Sequence, residues 1–156
     1  MSKKQQIQQD LTEAMKAREE LKSSVLRLLL AAILNKEKEK RYKLKEEKDV
    51  QLSDDEVLDA ISSEIKKRKE SVEMFAKGGR ADLADKEKKE AEILQKYLPE
   101  QLGEEEVRKL VKEAVQKVGA KTQTDMSKVM GALTPQLRGK ADMSLVSKMV
   151  KDLLTQ

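Results

Sequence analysis

Two basic side chains flank a glycine in Arg138-Gly139-Lys140-Ala141-Asp142, and the chemistry open to such a trio is to hold phosphate. Gly139 permits a tight reversal and Asp142 is suited to start a helix. Arg138 and Lys140 then sit beside that helix's first backbone amides. Amide N–H groups, the positive end of a helix dipole and two cations together favour contact with a nucleic-acid phosphate. The Asp142 carboxylate competes for some of those amides, so the expectation is a backbone phosphate alongside the loop and no mononucleotide inside it. Lys128 upstream and Lys148 downstream widen the basic region. From Gly119 to the end, Lys121, Lys128, Arg138, Lys140, Lys148 and Lys151 stand against Asp125, Asp142 and Asp152, a modest excess centred on the loop.

Other chemistries are poorly served. Gly139-Lys140 is not a P-loop, because Thr134 stands where that motif needs its first glycine and Ala141 where it needs Ser or Thr. Histidine and cysteine are both absent, which removes the usual zinc sites, thiol nucleophiles, histidine triads and disulfides. Ser24-Val25-Leu26-Arg27 and Ser63-Glu64-Ile65-Lys66 read as helix surface without supporting catalytic groups. Asp82, Asp85 and the run Glu104 to Glu106 read as first-turn dipole partners in preference to magnesium ligands. No catalytic residue, metal or cofactor is expected. Lys66-Lys67-Arg68-Lys69 is a second, weaker phosphate surface, since consecutive helix residues advance by about 100° and scatter around the axis. Tyr42, Phe75 and Tyr97 are the only aromatics, too few for base stacking, so RNA recognition would go by shape and backbone.

The elements that must carry these residues are helical. Charged residues make up 40% and aromatics 2% of 156 residues, the composition of surface-charged helices over a thin aliphatic core, and no alternating run suggests a strand. The fold class is all-α. A first helix is expected from about Lys3 to Ala17 on Ile7, Leu11, Ala14 and Met15, with a break near Ser23-Ser24. A central core helix follows on Val25, Leu26, Leu28, Leu29, Leu30, Ile33 and Leu34, apolar all round and so expected to be buried on several sides. It dissolves into the charged tract from Lys36 to Asp49, which reads as a solvated helix extension or a mobile loop. Ser53-Asp54-Asp55-Glu56 is a capping box, and Gly78-Gly79 ends the helix it begins. A fourth helix runs from about Ala81.

Leu98-Pro99 interrupts the pattern and separates an N-terminal domain of about four helices (1–98) from a small three-helix domain (99–156). In the latter, Glu104 to Val118 is amphipathic, a sixth helix starts near Thr124 or Asp125, and Asp142 caps a seventh. Pro135 lacks the N–H that would bond the carbonyl of Gly131. Glycine there lets the backbone tilt or another helix approach, giving a kinked helix end.

The net charge is +4, with acids and bases too interleaved for that total to identify a partner. Ser2 to Gln6 is polar, with no h-region of a signal peptide, and the run Leu28 to Leu34 is too short to span a bilayer. A soluble cytoplasmic protein without membrane contact is the expectation.

Three blocks carry a family likeness: "AMKAREELKSSVLRLLLAAI", "EIKKRKESVEMFAKGGRADLADKEKKEAEILQKYLPEQL" and "DMSKVMGALTPQLRGKADMSLVSKMV". In their order and spacing the chain resembles the YqeY family, stand-alone relatives of the tail domain of the GatB subunit of tRNA-dependent amidotransferase. The last block is most similar to that tail at Val129-Met130 and Gly139-Lys140-Ala141-Asp142. The resemblance implies a non-catalytic accessory module that contacts tRNA through Lys128, Arg138, Lys140 and Lys148 around Gly139. It also implies a link to the amidotransferase, a carbon–nitrogen ligase with glutamine as amido donor, or to another translation-related protein. The amidotransferase reaction itself is not implied, because the chain has no room for the catalytic body. The alternative is a helical protein-interaction adaptor using the groove between the two domains.

Overall fold

The computed structural model describes residues 1–154, and every regular element among them is helical. The order is α1 (Lys3–Lys16), α2 (Glu20–Leu44), α3 (Asp54–Lys77), α4 (Ala81–Gln95), α5 (Glu104–Val118), a 3₁₀ turn (Gln123–Asp125), α6 (Met126–Leu137) and α7 (Met143–Leu153). The chain divides into two compact units, Met1–Tyr97 and the residues from Leu98 onward.

In the first unit, α1 to α4 close over Ile7, Leu26, Leu29, Ile33, Ile61 and Leu94, all with no more than trace exposure. The Ser53 box forms as expected: Glu56 N–H donates to Ser53 Oγ at 3.2 Å, and Ser53 N–H donates to Glu56 Oε2 at 2.7 Å. Lys40 adds an ion pair to the same carboxylate at 2.8 Å, and these donors hold the Glu56 carboxyl below its ordinary value. At the far end of α3, Gly79 takes the left-handed conformation (φ 73°) that lets Arg80 N–H reach back to Phe75 O.

The first helix ends as expected, with Ala17 as its C-cap, but the break that follows it lies elsewhere than Ser23-Ser24. Arg18 adopts φ 58°, and Glu19 N–H returns to Ala14 O at 2.9 Å, so the chain turns before Ser23 and Ser24, which both lie inside α2. Ser23 is buried there, and the closure is made by backbone geometry with no serine cap. Of the two readings of the charged tract the helix extension holds, since α2 continues through it to Leu44. Leu28 and Leu34 are about half exposed, however, so α2 is buried on one side and not all round. Glu37, 6% exposed, accepts from Lys4 Nζ at 2.8 Å and from Leu52 N–H at 3.2 Å. One acid of the tract thus faces inward, satisfied from α1 and from the loop before α3. Arg41 gathers that loop, donating to the carbonyls of Glu46 and Glu47 and pairing with Asp49.

The second unit is a three-helix module with an aliphatic seam. Val107, Val111 and Ala114 of α5 meet Val129, Leu133 and Leu137 of α6 and Val146, Val150 and Leu154 at α7, spaced as one helical stripe each. Gly119 (φ 72°) ends α5, and the Asp125 carboxylate collects Lys121 and Thr122 N–H before α6. Pro135 lies within α6, which runs unbroken from Met126 to Leu137. Gly131 is exposed, and a Cβ there would meet nothing within 4 Å. No helix comes close to it, which removes the close-packing reason for the glycine.

Two stability outcomes follow from these placements. Ser53→Ala loses the cap of α3 and is expected to lower the unfolding free energy by about 1 kcal/mol in urea denaturation. Gly131→Ala adds helix propensity into open space and is expected to raise it by about 1 kcal/mol, visible as a higher midpoint.

Candidate nucleic-acid interface

The turn between α6 and α7 is pinned from three sides. Arg138 N–H closes the last turn of α6 onto Thr134 O at 2.9 Å. Gly139 then takes φ 76° and is buried, a conformation that disfavours any residue with a Cβ. Lys140 and Ala141 N–H both return to Leu137 O, at 2.8 and 3.2 Å. From outside the turn, Gln101 Nε2 donates to Gly139 O and Leu102 N–H donates to Lys140 O at 2.9 Å. The short segment after Pro99 therefore braces the loop and fixes the backbone on both sides of Lys140.

Asp142 is the N-cap of α7, its Oδ1 accepting from Ser144 N–H at 2.9 Å. The carboxylate thus occupies one of the amides that a phosphate would use, as its position in the sequence suggests. Lys140 is exposed and Arg138 half-buried. Gly139 shapes the turn and, being buried, offers no surface of its own.

The five residues selected from the sequence do not form one cluster. Arg138, Gly139 and Lys140 make the corner. Lys128 lies in the first turn of α6, beside Asp125; ten residues separate it from Arg138, about 15 Å along a helix. Lys148 lies on α7 and is exposed. It shares a face with exposed Ser144 and Lys151 at i−4 and i+3, which makes a polar ridge along α7. Sequence reasoning missed Ser144 and Lys151 as site residues because the excess of charge marks the loop, whereas the ridge emerges only with the helical register of α7.

The second basic run does not behave as a surface. Arg68, 7% exposed, turns into the α3–α4 packing, where it donates to Glu64 Oε2 at 2.9 Å and lies 3.7 Å from Glu90 Oε2. Burial, reinforced by neighbouring Glu87, pushes the Glu90 carboxyl above its ordinary value. Lys66, Lys67 and Lys69 remain exposed without it. Among the described residues no helix is long and apolar enough to cross a membrane.

A family model described as "Yqey-like protein" matches residues 4–154. Over 92 residues the chain is 37% identical to "Altered inheritance of mitochondria protein 41, mitochondrial" of Eremothecium gossypii, a match covering 59% of this chain and 46% of that protein. An uncharacterized protein of Schizosaccharomyces pombe is 36% identical over 94 residues, 60% of this chain and 70% of its own. The mitochondrial inheritance protein of Pyrenophora tritici-repentis is 28% identical over 151 residues, 95% of this chain and 78% of that one. The chain spans about half the length of the first of these relatives. Their names correct the cytoplasmic expectation: these similar proteins are mitochondrial. That expectation rested on the missing apolar h-region and membrane span, and neither feature distinguishes the cytoplasm from an organelle interior.

Gly139→Ala places a Cβ on a buried left-handed residue and is expected to cost about 1–2 kcal/mol. Equilibrium unfolding followed by circular dichroism checks it, with Gly103→Ala, where a Cβ meets open space, as the tolerated comparison.

Proposed function

The chain belongs to the YqeY family, and from that membership and the charged corner we propose a non-catalytic accessory module that binds tRNA. The observation that carries the reading is the braced turn at Arg138-Gly139-Lys140. Its backbone is held by Gln101 and Leu102, so its cations are presented without the entropy cost of ordering a loop. Lys148 and Lys151 on the α7 ridge supply further phosphate contacts. The similarity of this block to the amidotransferase tail supports tRNA as the RNA and makes the amidotransferase, or another translation protein, the candidate partner.

A protein-interaction adaptor is the second reading, favoured by the outer side of α2, where Leu28 is 53% and Leu34 48% exposed.

Titration of purified bulk tRNA separates the two. Affinity is expected to fall with salt, with a log–log slope of about −2 to −4 for a few neutralised phosphates. Arg138→Glu/Lys140→Glu is expected to weaken binding at least about tenfold at low salt, with helicity unchanged by circular dichroism. Binding indifferent to both salt and charge reversal would remove the corner as an RNA site. A partner that survives nuclease treatment and is lost on Leu28→Ser/Leu34→Ser would favour the adaptor.

A further inference from the structure

Gly131 and Pro135 stand one turn apart on the exposed side of α6, and nothing in their own unit asks for the glycine. A Cβ at Gly131 would meet nothing within 4 Å, and Gly131 is not among the positive-φ glycines, so neither a neighbour nor a turn requires it. Both residues are poor helix formers, and together they weaken the element that carries them. Their joint effect is chemical. Pro135 has no N–H to give to the Gly131 carbonyl. The carbonyls on either side each accept from a side chain: Met130 O from Thr134 Oγ1 at 2.7 Å, and Ala132 O from Gln136 Nε2 at 3.3 Å. Gly131 O is the acceptor from which the proline withholds a donor, on the solvent side of a helix, where carbonyls tilt outward, with no side chain of its own above it. Lys128 is exposed one turn earlier, and positions 128, 131 and 135 share a helical face.

We infer that this face of α6 takes the ribose–phosphate strand of RNA, with a ribose 2′-hydroxyl donating to Gly131 O and a phosphate meeting Lys128. The inference rests on the RNA-binding reading above and adds to it a second contact surface and a means of telling RNA from DNA. The 2′-hydroxyl is the donor that only RNA carries, and glycine is the residue that lets a strand come within hydrogen-bonding distance of a helix backbone. A protein partner fits less well, because Ser127, Lys128, Gly131 and Pro135 include no large apolar or aromatic anchor.

The test compares wild type with Gly131→Gln, which fills the face with a good helix former, and Pro135→Ala, which returns an N–H to the Gly131 carbonyl. Both are expected to fold with an equal or higher melting temperature and yet to bind bulk tRNA roughly tenfold more weakly. A tRNA transcript and its 2′-O-methylated counterpart, used as competitors, are expected to differ several-fold on wild type and to become equivalent on Pro135→Ala. Wild-type affinity in both variants, with the Arg138→Glu/Lys140→Glu pair still defective, would overturn this inference and leave the RNA reading standing. Equal competition by the two transcripts on wild type would overturn the hydroxyl contact. Absence of tRNA binding by wild type at low salt would overturn both readings together, and loss of a protein partner with tRNA affinity intact would assign the face to protein.

Discussion

Each helix of the C-terminal unit contributes about three buried aliphatic side chains, spaced one turn apart, and the rest of that unit depends on the seam they form. Val107, Val111 and Ala114, Val129, Leu133 and Leu137, and Val146, Val150 and Leu154 are the whole of its fully buried apolar surface among the described residues. Truncating one such leucine to alanine commonly costs about 2–5 kcal/mol, against a total stability of about 5–15 kcal/mol for an ordinary domain. A seam this narrow leaves most of each helix outside it. The outer faces are therefore open to residues that do nothing for packing, and α6 and α7 fill them with lysines, a glycine and a proline.

The first unit meets a different constraint. Its helices are long and densely charged, so the charged groups that enter the packing do so beside partners of opposite charge. Glu37 enters with Lys4 and the Leu52 amide, and Arg68 enters between Glu64 and Glu90. These contacts explain what the sequence concealed. A Lys/Glu tract looks alike whether one of its acids faces a lysine on another helix or faces water, so the burial of Glu37 is not readable from composition. The four-residue basic run is equally opaque, because only the register of α3 against α4 turns Arg68 inward. Local signals fared better. The Ser53 capping box, the Gly78-Gly79 and Gly119 helix ends and the start near Asp125 depend on neighbours within a few residues, and the structure has them as read. The α1–α2 break did not follow that pattern, since a left-handed arginine has no sequence signature comparable to glycine.

The candidate interface shows the same division. Arg138, Gly139 and Lys140 are adjacent in sequence, and their juxtaposition is trivially legible. The brace from Gln101 to Gly139 spans 38 residues, and nothing in the local spelling announces it. The ridge of Ser144, Lys148 and Lys151 required the register of α7, while Lys128 proved to belong with Gly131 and Pro135 on α6, apart from the corner. A set of cations chosen by charge density thus resolves into two surfaces distinguished by helix geometry.

One contact of the first unit bears on how the chain is made. The Tyr97 hydroxyl donates to Asp10 Oδ2 at 2.6 Å, joining the last residue of that unit to its first helix, and burial beside the carboxylate raises the hydroxyl above its ordinary pKa. In vectorial synthesis the N-terminal residues emerge first, so α1 leaves the ribosome long before its partner exists. The Tyr97–Asp10 contact cannot form until Tyr97 has cleared the exit tunnel, by which time α5 has been translated behind it. Formation of that contact and emergence of the second unit are in this way set close together in time.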